Sequence, residues 1–497
     1  MMKENEKKKE DNQPANITGK KVVSNMIWRF LERFGAYIVS FIVSLVLARI
    51  FADNRGVYGS IAVVTAITAI LQVFVDSGLG NALIQKKEAD NIDFSSVFWF
   101  NIVACLVLYT ALFFFAPLIS KGYKGEDLTW VIRILGLTVV ISGVKNVLQA
   151  YVSRNLMFKK FFFATLGGTI AAAVVGIVMA LNGFGVWALV AQHLVNLAID
   201  TLIIWLTVKW KPQFVFSFDR FKSLFKYGYK LLLSALLDTG YKELRTFIIG
   251  FRYSDLDLAD YNRGKQFPEV VVNNVNTAID SVLLPTMSKV QNDKEKVREM
   301  TRKSIKISTY IMMPMMVGLA VCAKPIVSLI LTDAWLDCVP YLQIFCITFA
   351  FYPIHTANLN AIKAMGRSDL FLLLEVIKKA LGIGAIVAAM FFGPLWLAIV
   401  GIPLSICSQI INSFPNRKLL NYKYERQILD MLPQMLLAIF MGGCVFAFGL
   451  IPMNKVILLI CQIILGIIIY IGGSLVFKLD SLNYLRKVGK TLFSKKA

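Results

Sequence analysis

The chain has 497 residues, 57% hydrophobic and only 17% charged, with a formal charge of +22. A soluble protein of this length needs far more surface charge, so the composition excludes one and points to a polytopic membrane protein. A bilayer core takes roughly 20 apolar residues per helix, and windows of that size recur along nearly the whole chain, leaving little room for a soluble domain.

The opening MMKENEKKKEDNQPANITGKK is polar and mixed in charge. It lacks the apolar core and small-residue cleavage site of a secretory signal peptide, so residues 1–23 are expected to form a disordered cytoplasmic tail. Fourteen or so spans follow, at 26–51, 57–76, 94–118, 128–151, 161–181, 184–208, 227–250, 258–287, 303–331, 336–362, 369–391, 394–414, 428–450 and 454–477. They divide into a six-helix lobe at 24–208, a cytoplasmic linker at 209–226, a second six-helix lobe at 227–416, two extra helices at 417–477 and a basic cytoplasmic tail at 478–497. The expected fold is thus all-α and integral to the membrane.

Connections alternate in charge. KWKPQFVFSFDRFK, SKVQNDKEKVREMTRKS, NRKLLNYKYER and the tail RKVGKTLFSKKA are basic, whereas NGFG, TDAWLD, FFGP and IPMNK are nearly free of lysine and arginine. Roughly 35 basic residues fall on the side of the N-terminus and about 6 on the other, which makes that first side cytoplasmic and places both termini there. The +22 is then a topology signal and not a nucleic-acid footprint. The seven cysteines show no CxxC and no paired spacing, and read as small apolar packing residues.

An internal repeat organises the chain. A shift of 209 lays QAYVSRNLMFKKFFF from Gln149 on NLNAIKAMGRSDLFL from Asn358, and NGFGVWALV from Asn182 on FFGPLWLAI from Phe391, with Trp187 on Trp396 and Arg154 on Lys363. Six helices precede the midpoint and six follow, so the halves share one orientation. In transporters built this way the substrate path runs between the repeats.

Polar residues then fall into stripes. Arg29, Arg33, Tyr37, Ser40 and Ser44 share one face of the first span, and a shift of 205 carries them onto Ser234, Asp238, Lys242, Arg245 and Ile249. The span at 258–287 carries Asn262, Gln266, Glu269, Asn273, Asn276 and Asp280 on one face, and the span at 57–76 carries Thr65, Thr68, Gln72 and Asp76. A mid-membrane charge costs roughly 2.5–3.5 kcal/mol on insertion scales, so these stripes must face one another or water.

A hydrated cavity lined by Arg29, Arg33, Lys145, Lys242, Arg245, Arg263 and Lys265 would suit an anionic substrate, because guanidinium and ammonium groups form charge-assisted bonds to phosphate. The alternative for Arg29 and Arg33 is snorkelling to headgroups. Glu32, Asp238, Glu243, Glu269 and Asp280 are candidates for a coupling H+ or Na+, or they neutralise the neighbouring cations. Pro268, Pro285, Pro314 and the GLG at Gly78 are expected bending points, and Glu375 with Lys379 reads as a plain i, i+4 pair.

Other signals are weak. GFGVWA matches a dinucleotide pattern but joins two membrane helices with no preceding strand, and no GxxxxGK[ST] occurs. His193 and His355 have no metal-like neighbours, so no metal site is expected. Nor is a catalytic residue, since the loops on the outer side are too short to carry one.

From Leu47 to Asp90, LARIFADNRGVYGSIAVVTAITAILQVFVDSGLGNALIQKKEAD resembles the polysaccharide transporters of the multidrug/oligosaccharidyl-lipid/polysaccharide (MOP) superfamily, in particular the Wzx-type flippases and their colanic-acid exporter group. SSVFWFN, QAYVSRNLMFKKF, GVWALVAQHLV, DYNRGKQFPEVVVNN, VLLPTMSKVQND, AWLDCVPYLQI and AIKAMGRSDL extend the likeness over most of the chain. The resemblance implies two six-helix lobes around a central cavity, with an outer groove on the last two helices for a lipid tail. It also implies non-enzymatic translocation of undecaprenyl-pyrophosphate-linked oligosaccharide across the bacterial inner membrane by alternating access, for capsule, exopolysaccharide or O-antigen (lipopolysaccharide) synthesis. The partners it implies are that lipid-linked saccharide, membrane lipids and other polysaccharide-assembly proteins, and it implies no cofactor. A drug or metabolite antiporter of the same superfamily and a membrane polymerase or ligase are the alternatives.

Overall fold

The computed structural model describes residues 19–76, 79–86, 89–123 and 127–486. Residues 1–18 and 487–497, Gly78, and the side chains of Arg29, Arg33 and Asp76 lie outside the described residues. Everything regular among the described residues is helical. The first half contains α1 (Gly19–Ile50), α2 (Gly56–Asp76), a short α3 (Leu79–Gln85), α4 (Asn91–Gly122), α5 (Thr129–Arg154), α6 (Phe158–Leu181) and α7 (Val186–Thr207). The second contains α8 (Phe218–Arg252), α9 (Asp255–Lys289), α10 (Lys294–Val321), α11 (Ala323–Ile330), α12 (Val339–Ala350), α13 (Tyr352–Ala364), α14 (Ser368–Ala389), α15 (Pro394–Ile399), α16 (Gly401–Leu419), α17 (Tyr424–Phe448) and α18 (Lys455–Val476).

Two features depart from the expected spans. Helix α1 begins at Gly19, inside the stretch expected to be a tail, and α8 begins at Phe218, inside the stretch expected to be a linker. Among the described residues, ten helical segments are long and apolar enough to cross a membrane. The remaining four expected spans are helical as α1, α8, α9 and α14: α1 carries a shorter apolar stretch at Gly35–Ile50, and charged and polar residues dilute the other three. A helix too polar for lipid needs polar neighbours or water along part of its face. The expected bend sites Pro268 and Pro285 lie inside α9, and Pro314 lies inside α10.

Local chemistry sets several boundaries. Ser254 and Asp257 form a reciprocal capping box at the start of α9, and Asp293 accepts from the Lys296 backbone N–H at the start of α10; each satisfies a donor that the first helical turn leaves open. Backbone landmarks also correct the repeat. Helix α5 ends before Leu156 (φ 54) and α13 before Gly366 (φ 72), an offset of 210. Helix α7 starts after Gly185 (φ 53) and α15 after Gly393 (φ 120), an offset of 208. The gapless shift of 209 is therefore wrong by one residue at each end, because α14 has 22 residues where α6 has 24. Trp187 corresponds to Leu395 and not to Trp396.

The chain divides into two compact units. The first takes Met1–Leu47, Val64–Lys121 and Asp127–Gly240. Its core gathers Leu83, Phe94, Val97, Leu148, Phe161 and Ile204 from α3 to α7. Helix α7 lies tightly along α6 because Gly168 has no side chain: a Cβ there would stand 2.7 Å from the Asn196 carbonyl oxygen and 3.1 Å from the Asp200 Cβ. Close backbone approach at small residues is the usual way membrane helices gain packing contacts.

The second unit takes Ala48–Val63, Gly122–Glu126 and Tyr241–Ala497. The tip of the α1–α2 hairpin belongs to it, although chain order places that tip in the first half. Trp335, fully buried, donates from Nε1 to the Ala48 carbonyl at 2.9 Å, and a Cβ on Gly59 would sit 2.1 Å from the Asp255 carbonyl oxygen. Farther along, Asn358 on α13 donates to Gln427 Oε1 at 2.9 Å and accepts from Asn416 Nδ2 at 2.7 Å, joining α13, α16 and α17 by buried amides.

Candidate functional site

In the second unit, charged residues collect in two layers along α9. The outer layer forms where the hairpin tip meets the first turns of that helix. Arg55 reaches Asp260 Oδ1 at 3.0 Å and Asp337 Oδ2 at 3.1 Å, one guanidinium bridging two acids. One turn deeper, buried Arg263 lies 3.9 Å over the Tyr58 ring and 5.4 Å from the Trp335 ring centroid, and its Nη1 donates to Gln266 Oε1 at 2.6 Å. The planar cation thus stacks on aromatic faces that compensate part of its lost hydration. Beside this layer is a pocket of about 660 Å³ lined by Asp53, Arg55, Arg252, Ser254 and Asp255.

The inner layer surrounds two tyrosines. Arg245, Lys265, Glu243 and Glu269 are all within electrostatic range of the Tyr261 hydroxyl, and Arg245, Lys265 and Glu269 also act on Tyr352. These contacts are loose. Lys265 Nζ and Glu269 Oε1 are 3.8 Å apart, and Arg245 Nε donates to the Leu397 carbonyl at a long 3.3 Å. Glu269 lies roughly 14 Å along the helix axis from Asp260 at 1.5 Å per residue, so the layers are separate.

In the first unit the charges pair differently. Lys145 on α5 donates to Asp200 Oδ2 on α7 at 2.7 Å, with Asp200 only 3% exposed. Gln72 from the α2 stripe donates to Ser142 Oγ at 2.7 Å, so that part of the stripe is satisfied inside the unit. At the loop ends, Lys86 holds buried Asp93 at 2.7 Å, and Arg154 donates to the Leu83 carbonyl at 2.9 Å. Hydrogen bonds from the Thr129 hydroxyl and N–H and from the Ser120 hydroxyl pull the Asp127 carboxyl down to about 2.

The structure therefore brings Arg245, Lys265 and Glu269 together and puts Arg263 in the aromatic layer above them. It commits Lys145 to Asp200. Lys242 is exposed and Asp238 half-buried on α8, and both interact with neighbouring groups, as does Glu32 on α1. Asp280 accepts from Asn360 Nδ2 at 2.6 Å. Glu375 takes Lys378 as its close partner, at 2.5 Å, where the spacing had suggested Lys379. His355 Nδ1 lies 3.2 Å from Asn412 Nδ2, an ordinary local hydrogen bond.

Arg55, Asp260, Asp337 and Asp200 escape the stripe analysis. Three lie near span ends, where charge reads as topology. Asp200 is different, because LAIDTLIIW isolates one acid inside an apolar span, and that signal alone marks it.

Taken together, the charge-bearing helices and the apolar spans define a multi-span, all-helical membrane protein. Solved structures with the same fold include the lipid II flippase MurJ in an inward closed conformation (TM-score 0.73, 16% identity, 92% of this chain and 100% of that one). An inward-facing multidrug resistance MATE family transporter of the MOP superfamily also matches (TM-score 0.60, 16% identity, 76% and 95%). Residues 46–340, more than half of the chain, match the family described as "Polysaccharide biosynthesis protein", and the chain belongs to that family. Among its relatives are the succinoglycan biosynthesis transport protein ExoT of Rhizobium meliloti (24% identical; 77% of this chain, 78% of that one). The lipopolysaccharide biosynthesis protein WzxC of Escherichia coli is 24% identical over 83% of this chain and 84% of its own. The teichuronic acid biosynthesis protein TuaB of Bacillus subtilis is 24% identical over 61% and 63%.

Proposed function

We propose that this protein is a flippase, not an enzyme, and carries a lipid-linked oligosaccharide, with undecaprenyl pyrophosphate as the lipid carrier, across the bacterial inner membrane for surface polysaccharide assembly. Both termini face the cytoplasm in this reading, and transport proceeds by alternation between states open to either side. Family membership and relatives named as transport and polysaccharide biosynthesis proteins support the substrate class.

The observation that carries the reading to particular residues is the loose partnering of Arg245 and Lys265. Arg55 and Lys145 are held by acids at 3.0–3.1 Å and 2.7 Å, whereas the inner-layer contacts are 3.3 and 3.8 Å. An anionic diphosphate displaces a weak partner more readily than a short ion pair, and each charge-assisted bond contributes about 1.5–3 kcal/mol.

The test is translocation of labelled undecaprenyl-pyrophosphate oligosaccharide in proteoliposomes. Arg245→Ala and Lys265→Ala should each lower the rate by about tenfold or more, with unchanged protein level. Wild-type rates in both variants would remove the inner layer from substrate binding. A wild type inactive with several lipid-linked donors would sink the flippase reading and favour small-molecule antiport.

A further inference from the structure

The pocket beside the outer layer belongs neither to the polar stripes nor to the inner layer. Two hairpin tips make it: the single helical turn at Ala52–Asn54 between α1 and α2, and Tyr253 and Ser254 between α8 and α9. The hairpins are equivalent in the repeat, since the shift of 205 carries α1 onto α8, and both tips lie in the second unit. With the termini in the cytoplasm, this end of the helices faces outward.

Its lining is polar and only partly engaged. The side chains of Asp53 and Asn54 are exposed and have no hydrogen-bond or ion-pair partner among the described residues. Arg55 gives one terminal nitrogen to Asp260 and the other to Asp337, which fixes the guanidinium in place and leaves it donors to spare. Arg252 lies 5.0 Å from the Phe391 ring centroid, and Asp255 Oδ2 accepts from Ser60 Oγ at 3.2 Å. The pocket thus offers carboxylate and amide acceptors beside guanidinium donors, held on two rigid turns.

Electrostatics narrows the ligand. Asp53 and Asp255 balance Arg55 and Arg252 within the lining, and Asp260 and Asp337 stand behind Arg55 as further negative charge. An anion gains nothing from that field, and an apolar drug leaves the polar groups unpaired. A sugar hydroxyl both donates and accepts, so a polyol satisfies both kinds of group at once. The volume of about 660 Å³ falls within the roughly 300–1,000 Å³ of small-molecule sites.

We propose that this pocket is a saccharide subsite on the outward side of the protein, taking uncharged sugar hydroxyls. Asp255 is ten residues from Lys265 on α9, roughly 15 Å along the helix axis. The subsite is therefore distinct from the inner layer, and a head group of several linked sugars is long enough to reach from one to the other. That the sugar comes from a lipid-linked substrate rests on the flippase reading, whereas the preference for hydroxyls does not.

The test uses the full chain in nanodiscs, titrated with the neutral oligosaccharide repeat unit freed from its lipid and phosphates and followed by saturation-transfer NMR. Wild type should bind it saturably, and Asp53→Ala/Asn54→Ala should bind about tenfold more weakly. Gly56→Leu blocks the pocket by another route: a Cβ there meets nothing nearer than the Asp255 Cβ at 3.6 Å and Asn54 Oδ1 at 4.0 Å, so the side chain has room at its root and extends between two lining residues. It should abolish binding while every polar group stays in place. Inorganic pyrophosphate should not displace the sugar.

Absence of binding in wild type, equal binding in all three proteins, or displacement by pyrophosphate overturns the subsite and leaves the flippase reading standing. Saccharide binding lost in both variants, together with no translocation of any lipid-linked donor by wild type, keeps the subsite and overturns the flippase reading instead. Thermal unfolding of each variant separates these outcomes from misfolding.

Discussion

Two lysine–acid pairs, one in each unit, hold their charges in opposite ways. In the first, Lys145 and Asp200 are joined at 2.7 Å, with side chains 16% and 4% exposed. In the second, Lys265 and Glu269 stand 3.8 Å apart with side chains 34% and 42% exposed. A short buried pair is a committed structure, and losing one partner strands the other. A long, half-exposed pair contributes little to stability, so its cation is available to a ligand.

The comparison breaks if the two pairs respond alike to removal of the lysine. Lys145→Met leaves Asp200 unpaired in a buried site and should lower stability by about 3–5 kcal/mol, read as a clear drop in the thermal unfolding midpoint in detergent. The double variant Lys145→Met/Asp200→Leu should recover most of that loss, because an apolar pair of similar volume substitutes well for buried ions. Equal loss in single and double variants would mean that packing, not the stranded charge, sets the cost.

The corresponding change in the second unit is far smaller. Lys265→Met removes an i, i+4 pair worth about 0.2–0.5 kcal/mol on an exposed helix face, so the unfolding midpoint should scarcely move while transport falls. A drop comparable to that of Lys145→Met would show that the inner layer is structural and would weaken its assignment to substrate.

What the sequence revealed follows from where its signals come from. Apolar windows locate the spans because lipid imposes a length and a polarity, and the ten helical segments long and apolar enough to cross a membrane among the described residues all fall on expected spans. The same logic blurs α8, α9 and α14, whose charged and polar residues dilute hydropathy. Helical spacing brings Glu269 within reach of Lys265, a contact within one helix, but cannot pair Lys145 with Asp200, 55 residues away. Arg55 with Asp260 is harder still, since the contact spans 205 residues and joins a hairpin tip to a unit that chain order does not assign it to. The repeat offset failed for a simpler reason. A helix shortened by two residues moves every later landmark, and a gapless match settles on the compromise between the two true offsets.

The smallest effect concerns the loop before α5, where charge is fully exposed and pairing is with hydrogen-bond donors. The Asp127 carboxyl accepts from Ser120 Oγ at 2.7 Å, from the Thr129 N–H at 2.9 Å and from Thr129 Oγ1 at 2.6 Å. Those donors favour the anion and hold its pKa at about 2, below the ordinary 3.8. A carboxyl whose folded-state pKa is depressed contributes stability above its unfolded pKa and loses that contribution as pH falls through the folded one. The first turn of α5 should therefore be better protected from amide hydrogen exchange in wild type than in Asp127→Asn at about pH 5, and the two proteins should converge as pH approaches about 2. Protection that is identical at pH of about 5 would show that the anion does not hold this turn. A difference that persists unchanged at pH of about 2 would show that the neutral acid does the same work, leaving the charge irrelevant to the loop.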